Sequence, residues 1–72
     1  MKKIKKIKIR VNGKVKIIPD NYKLSVLVNN LKIPLKKVAI ELNQEIINKK
    51  NIHKIYLKKK DNIEIVHFIG GG

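Results

Sequence analysis

The sequence predicts an α+β domain in which a sheet of four to five strands carries one helix packed across one face. Large apolar residues alternate with lysine or arginine over residues 7–11 and 14–17, and with Ala39 and Glu41 over residues 38–42, the period of two that marks half-buried strands. A single stretch, Leu24, Leu27, Val28 and Leu31, follows the i, i+3, i+4, i+7 spacing of a helical stripe. The length, 72 residues, leaves room for one core and not two. That core must be aliphatic, since the apolar residues include fourteen Ile, six Val and six Leu.

The elements follow in order. Ile7, Ile9 and Val11 form the first strand, and Val15 and Ile17 mark the second. Asn12-Gly13 between them is a strong hairpin signal. A two-residue loop would set Ile9 opposite Lys16, mixing core and solvent on one face. A three-residue loop, residues 11–13 with Gly13 at positive φ in a bulge, would instead pair Ile9 with Val15 and Ile7 with Ile17, and this bulged form is the one expected. Pro19-Asp20-Asn21 ends the strand as turn chemistry. The helix follows, with Lys23 where a Ser, Thr or Asp cap would be usual and Pro34 closing the segment. So short a helix needs a sheet to pack on.

Val38, Ile40 and Leu42 form a third strand, Asn43-Gln44 a turn, and residues 45–47 a short fourth strand. Residues 48–53 read as polar and irregular, anchored by Ile52. Ile55 and Leu57 read as a brief strand or one turn of helix. Residues 58–62 make a charged turn into residues 63–68, the run of highest β-propensity in the chain.

Composition removes several kinds of chemistry. There is no cysteine, so disulfides, thiolate metal sites and thiol catalysis are excluded. His53 and His67 lie fourteen positions apart without a nearby carboxylate pair, which is no metal signature. Ser25 is the only serine and stands inside the helical stripe, and there is no threonine. No enzyme of its own is expected. The formal charge of +13 attracts anionic partners. Seventeen of the eighteen basic residues are Lys, however, and only Tyr22, Tyr56 and Phe68 are aromatic, which argues against nucleic acid. Lys, Ile and Asn make up 39 of the 72 residues, all with A/T-rich codons, so the lysines are read chiefly as solvated surface. Lysine also interrupts the first residues too often for a signal peptide or membrane span, and a cytoplasmic protein is expected.

Of the four glycines, three are Gly70, Gly71 and Gly72. A terminal glycine run is compatible with a frayed end. Its placement directly after an apolar strand instead holds a carboxylate on a bare stalk, without Cβ atoms, that a narrow cleft can admit. The run Ile63-Glu64-Ile65-Val66-His67-Phe68-Ile69-Gly70-Gly71-Gly72 resembles the C-terminus of the ThiS sulfur carrier family of thiamine biosynthesis. Residues 38–47 resemble that family's central hairpin, and the Asn12-Gly13 turn and the helical stripe also fit, so the resemblance covers nearly the whole chain. Departures are Lys23 at the helix cap, Asp61-Asn62 where Gly-Asp is common, and the basic surface.

The resemblance implies a ubiquitin-like β-grasp fold with a mixed sheet over residues 1–69 and a glycine tail over residues 70–72. It implies that the Gly72 carboxylate is adenylated by a ThiF-like adenylyltransferase using ATP and Mg²⁺, with no cofactor bound by the carrier itself. A sulfur donor, such as a cysteine desulfurase or a persulfide protein, would then yield a thiocarboxylate for thiazole synthase. Gly70 and Gly71 would be the stalk, where a side chain would block the adenylation cleft. If Ile63 and Ile65 point inward, Val66 and Phe68 emerge beside the tail, and with Ile69 they form the expected partner-binding patch. His67 would face inward or sit at the rim. Other readings of the same residues are a molybdopterin-type sulfur carrier, a ubiquitin-like modifier, and, in a different class, a small basic nucleic-acid-binding protein.

Overall fold

The computed structural model describes residues 5–68. Strands β1 (Lys6–Val11) and β2 (Lys14–Pro19) pair antiparallel around the two-residue turn Asn12-Gly13. Asn12 has φ 50° and Gly13 φ 81°, the type I′ geometry whose twist matches that of adjacent strands. Gly13 is thus left-handed as expected, but the three-residue bulged loop does not form. Ile9 pairs with Lys16 and Ile7 with Ile18, not with Val15 and Ile17. The reason is Ile18, which is 3% exposed in the core while Val15 and Ile17 stand in solvent at 59% and 58%. Lys16, on the covered side of this edge strand, is half-buried, as a lysine can be by laying its stem along apolar surface with the ammonium in water.

The helix α1 (Leu24–Asn30) buries Leu24, Leu27 and Val28. Its cap is as weak as expected, because Lys23 makes no side-chain capping bond. Its end is set by a Schellman closure before Pro34 is reached. Lys32, at φ 55°, donates its N–H to the Asn29 carbonyl at 3.1 Å, and Ile33 donates to the Val28 carbonyl at 3.2 Å. Leu31, expected in the buried stripe, is the C-cap residue and remains 38% exposed.

A 3-10 turn (Leu35–Lys37) leads to β3 (Val38–Leu42), which pairs with the two-residue β4 (Glu45–Ile46). Asn43 and Gln44 between them have φ 52° and 71°, again the twist a tight hairpin requires. A second 3-10 segment (Lys49–Lys54) replaces the irregular stretch expected there, with Ile52 buried as its anchor. Tyr56 makes one isolated bridge to Lys23, and Leu57 is buried, so the region is neither a full strand nor a helical turn. The carboxylate of Asp61, the one buried charged group among the described residues, accepts from Asn43 Nδ2 at 3.0 Å and from the Lys58 N–H at 2.7 Å, closing the turn into β5 (Asn62–His67).

The five strands lie in the order β2-β1-β5-β3-β4, with β1 and β5 parallel and the other pairs antiparallel. The α+β class and the mixed sheet are therefore as expected. Ile9, Ile18, Val38, Ile40 and Ile63 meet Leu24, Leu27 and Val28 of α1 in one core. The opposite face of the sheet is open.

Candidate functional site

The last strand in sequence is the central strand in space. Its C-terminal half runs past the end of β1, whose final pair with it is Val11 with Ile63. There the side chain of Asn12 takes over from the missing strand. The backbone N–H of Asn12 donates to the Ile63 carbonyl at 2.9 Å, and its side-chain Oδ1 accepts from the Ile65 N–H at 2.8 Å. On the other flank β3 continues to pair, Ala39 with Val66 and Val38 with His67. One further bond, from the Phe68 N–H to the Lys37 carbonyl at 2.9 Å, secures the last described residue. The Lys49 ammonium lies 5.4 Å from the centroid of the Phe68 ring.

Ile63 is fully buried and Ile65 half-buried, so alternation brings Val66 to the open face opposite Ala39. Val66 and Phe68 are 52% and 54% exposed. His67 is exposed and stands at the rim of a shallow groove of about 470 Å³ between the helix end and the β1–β2 hairpin, floored by Leu31, Ile33 and Ile65. Ile69, Gly70, Gly71 and Gly72 lie outside the described residues.

Charge is unevenly distributed around this root. β1 places Lys6, Lys8 and Arg10 on the open face, whereas β3 and β5 set Glu41 directly opposite Glu64. Arg10 lies level with Asn62, four residues before Val66, so the charged strand residues nearest Val66 on this face are Glu64 and Glu41. Among the described residues no three His, Asp or Glu side chains gather as metal ligands. No buried side-chain polar atom among them lacks a hydrogen-bond partner. Two residues of the root escaped sequence reasoning. Sequence pattern marks Asn12 only for its turn conformation, and nothing in spacing distinguishes Lys49 from the other lysines.

A mixed sheet crossed by one helix, with its first and last strands parallel at the centre, defines the ubiquitin-like β-grasp class. The chain belongs to the ThiS family, whose profile matches residues 6–72. It is 42% identical over 65 residues to the sulfur carrier protein ThiS of Bacillus subtilis (strain 168), covering 89% of this chain and 98% of that protein. It is 35% identical over 66 residues to a thiazole synthase of Magnetococcus marinus, covering 92% of this chain but only 20% of that longer protein. Among solved structures it matches the thiamine biosynthesis protein ThiS of Geobacter metallireducens, with a TM-score of 0.80 and 28% identity over 92% of this chain and 100% of that one. The Bacillus relative is named a carrier, in agreement with the expectation that the chain is no enzyme.

Proposed function

We propose that this chain is a sulfur carrier that delivers sulfur, as a thiocarboxylate on Gly72, to the thiazole synthase of thiamine biosynthesis. The observation that supports this most directly is the extent of the family match, which continues through residue 72 and so includes Gly70, Gly71 and Gly72. A carboxylate is a poor electrophile because its oxygen does not leave. Its attack on the α-phosphate of ATP, in a ThiF-like adenylyltransferase that holds the Mg²⁺, expels pyrophosphate and gives an acyl-adenylate. A persulfide from a cysteine desulfurase or persulfide protein then displaces AMP to give an acyl disulfide, and attack of a second thiol on the donor's sulfur releases the thiocarboxylate and leaves the two thiols joined as a disulfide.

The carrier's own residues supply placement. Asn12, β3 and Lys37 fix the end of β5, Val66 and Phe68 with Ile69 form the docking patch, and residues 70–72 reach the partner's cleft beyond a domain of residues 1–69. The similarity to a fifth of a thiazole synthase supports that enzyme as the acceptor, since there a carrier-like stretch shares a polypeptide with the synthase. The setting we infer is the cytoplasm; among the described residues no helix is long and apolar enough to cross a membrane.

Top-down mass spectrometry of the full chain, after incubation with its adenylating enzyme, ATP and a sulfur source, tests this. The expected product has one oxygen exchanged for sulfur in the fragment containing Gly72. An unmodified C-terminal fragment, under conditions that load a known carrier, would overturn the proposal.

A further inference from the structure

The environment of Lys49 differs from that of an ordinary surface lysine. Its ammonium donates to the Leu35 carbonyl at 2.7 Å and to the Val38 carbonyl at 2.8 Å, while lying 5.4 Å from the centroid of the Phe68 ring. The two carbonyls belong to the 3-10 turn before β3 and to the first residue of β3. Along the outer edge of β3, the Ile40 carbonyl accepts from the Ile47 N–H at 2.8 Å. Val38 lies two residues earlier, so its carbonyl points to the same edge, and β4 does not extend that far. The lysine ammonium replaces the missing strand at that position. Its proton donors thus fasten the start of β3, while its positive charge meets the negative face of an aromatic ring.

The neighbouring bond gives this arrangement its consequence. The start of β3 is what holds the end of β5, through Val38 paired with His67 and through the Phe68 N–H on the Lys37 carbonyl. Phe68 is thereby gripped twice, by its backbone through a segment that Lys49 fastens and by its ring through Lys49 directly. Phe68 is also four residues from Gly72 in sequence. We propose that Lys49 is a positioning residue for the carrier end: it sets the place and orientation of Phe68 at the root of residues 69–72, so that an activating enzyme meets one preformed arrangement. This rests on the carrier reading above. Lys49 touches none of the reacting atoms, and its effect should appear in recognition and not in the chemical step.

The test uses the full chain with Lys49→Met, which keeps the stem and removes the charge and donors, and with Lys49→Arg, which restores both. Two readouts are taken: amide hydrogen exchange by NMR, and steady-state kinetics of carrier adenylation by a ThiF-like enzyme. In Lys49→Met the Phe68 amide is expected to exchange about tenfold faster, while core amides such as those of Ile9 and Ile63 keep their protection. The KM for the carrier is expected to rise about tenfold with kcat unchanged, and Lys49→Arg to recover most of the loss. If Lys49→Met loses the fold, Lys49→Gln, which retains a donor, is measured in its place. Unchanged Phe68 exchange with unchanged KM would overturn the proposal, and so would a loss confined to kcat. If the wild-type chain itself is not adenylated, the carrier reading fails separately, and the exchange data still decide whether Lys49 holds Phe68.

Discussion

Replacing Phe68 by alanine separates docking from folding, because the ring is close to evenly divided between the two. A phenylalanine side chain presents roughly 200 Å². With Phe68 54% exposed, about 110 Å² remains for a partner to cover and about 90 Å² is already buried. At ~25 cal/mol per Å², complete burial on docking would contribute up to ~2.7 kcal/mol. Interfaces realise only part of such a sum, so Phe68→Ala should weaken binding to the adenylating enzyme by about 1.5–2 kcal/mol, or roughly 10- to 30-fold. The buried part corresponds to ~2 kcal/mol by the same conversion, and to about 1.2–1.8 kcal/mol once the compactness of unfolded chains is allowed for. In a domain of this size that lowers Tm by about 5–14 °C. Titration calorimetry against the enzyme and a thermal melt of the carrier alone give the two numbers. Binding unchanged within twofold, or a Tm drop beyond about 15 °C, would refute the division and with it the docking role.

Other substitutions test the fold around the site. Lys32→Gly should stabilise the domain by about 0.5–1 kcal/mol, because the helix closure holds a Cβ-bearing residue at φ 55°; a higher urea midpoint with unchanged slope is the expected result. Ile18→Ala should cost about 2–4 kcal/mol and Ile17→Ala less than ~0.5 kcal/mol, whereas the reverse order would restore the bulged hairpin register. Asn12→Gly keeps a type I′ turn but removes the Oδ1 acceptor from the Ile65 N–H. It should cost about 0.5–1.5 kcal/mol and speed exchange at the Ile65 amide, and an unchanged Ile65 amide would show that the side chain does not hold β5.

Periodicity made most of this fold legible. The stripe of α1 and the alternation in β1, β3 and β5 each reflect one element facing one core, which a local pattern can record. Local patterns fail where a third element decides. In β2 the alternation Val15, Ile17 is as regular as that of β1, yet those residues face solvent, because the register that buries Ile18 beside Ile7 turns them to the uncovered face of the sheet. Asn12 and Lys49 were illegible for the same reason. One bonds a strand fifty-three positions away in sequence, and the other bonds carbonyls eleven and fourteen positions away. The glycines of the tail lie outside the described residues, so their role is a chemical expectation carried by the proposed function.

The turns strengthen the case for that tail. Among the described residues six non-glycine positions hold positive φ: Asn12, Asn21, Lys32, Asn43, Gln44 and Lys60. Glycine would relieve each of them, and asparagine is the next best solution because its short polar side chain tolerates the left-handed region. Lysine and glutamine have no such excuse, yet Lys32 stands at φ 55° and Lys60 and Gln44 at 71°. The chain therefore tolerates backbone strain at several turns instead of placing glycine there, in keeping with a composition dominated by Lys, Ile and Asn. Against that background Gly70, Gly71 and Gly72 in succession are not what composition supplies by default. Turn geometry tolerates a Cβ at a cost of about 1 kcal/mol, and the chain accepts that cost. On the proposed carrier reading, a cleft that closes around a bare backbone would not tolerate one, and three of the four glycines stand where such a cleft would act.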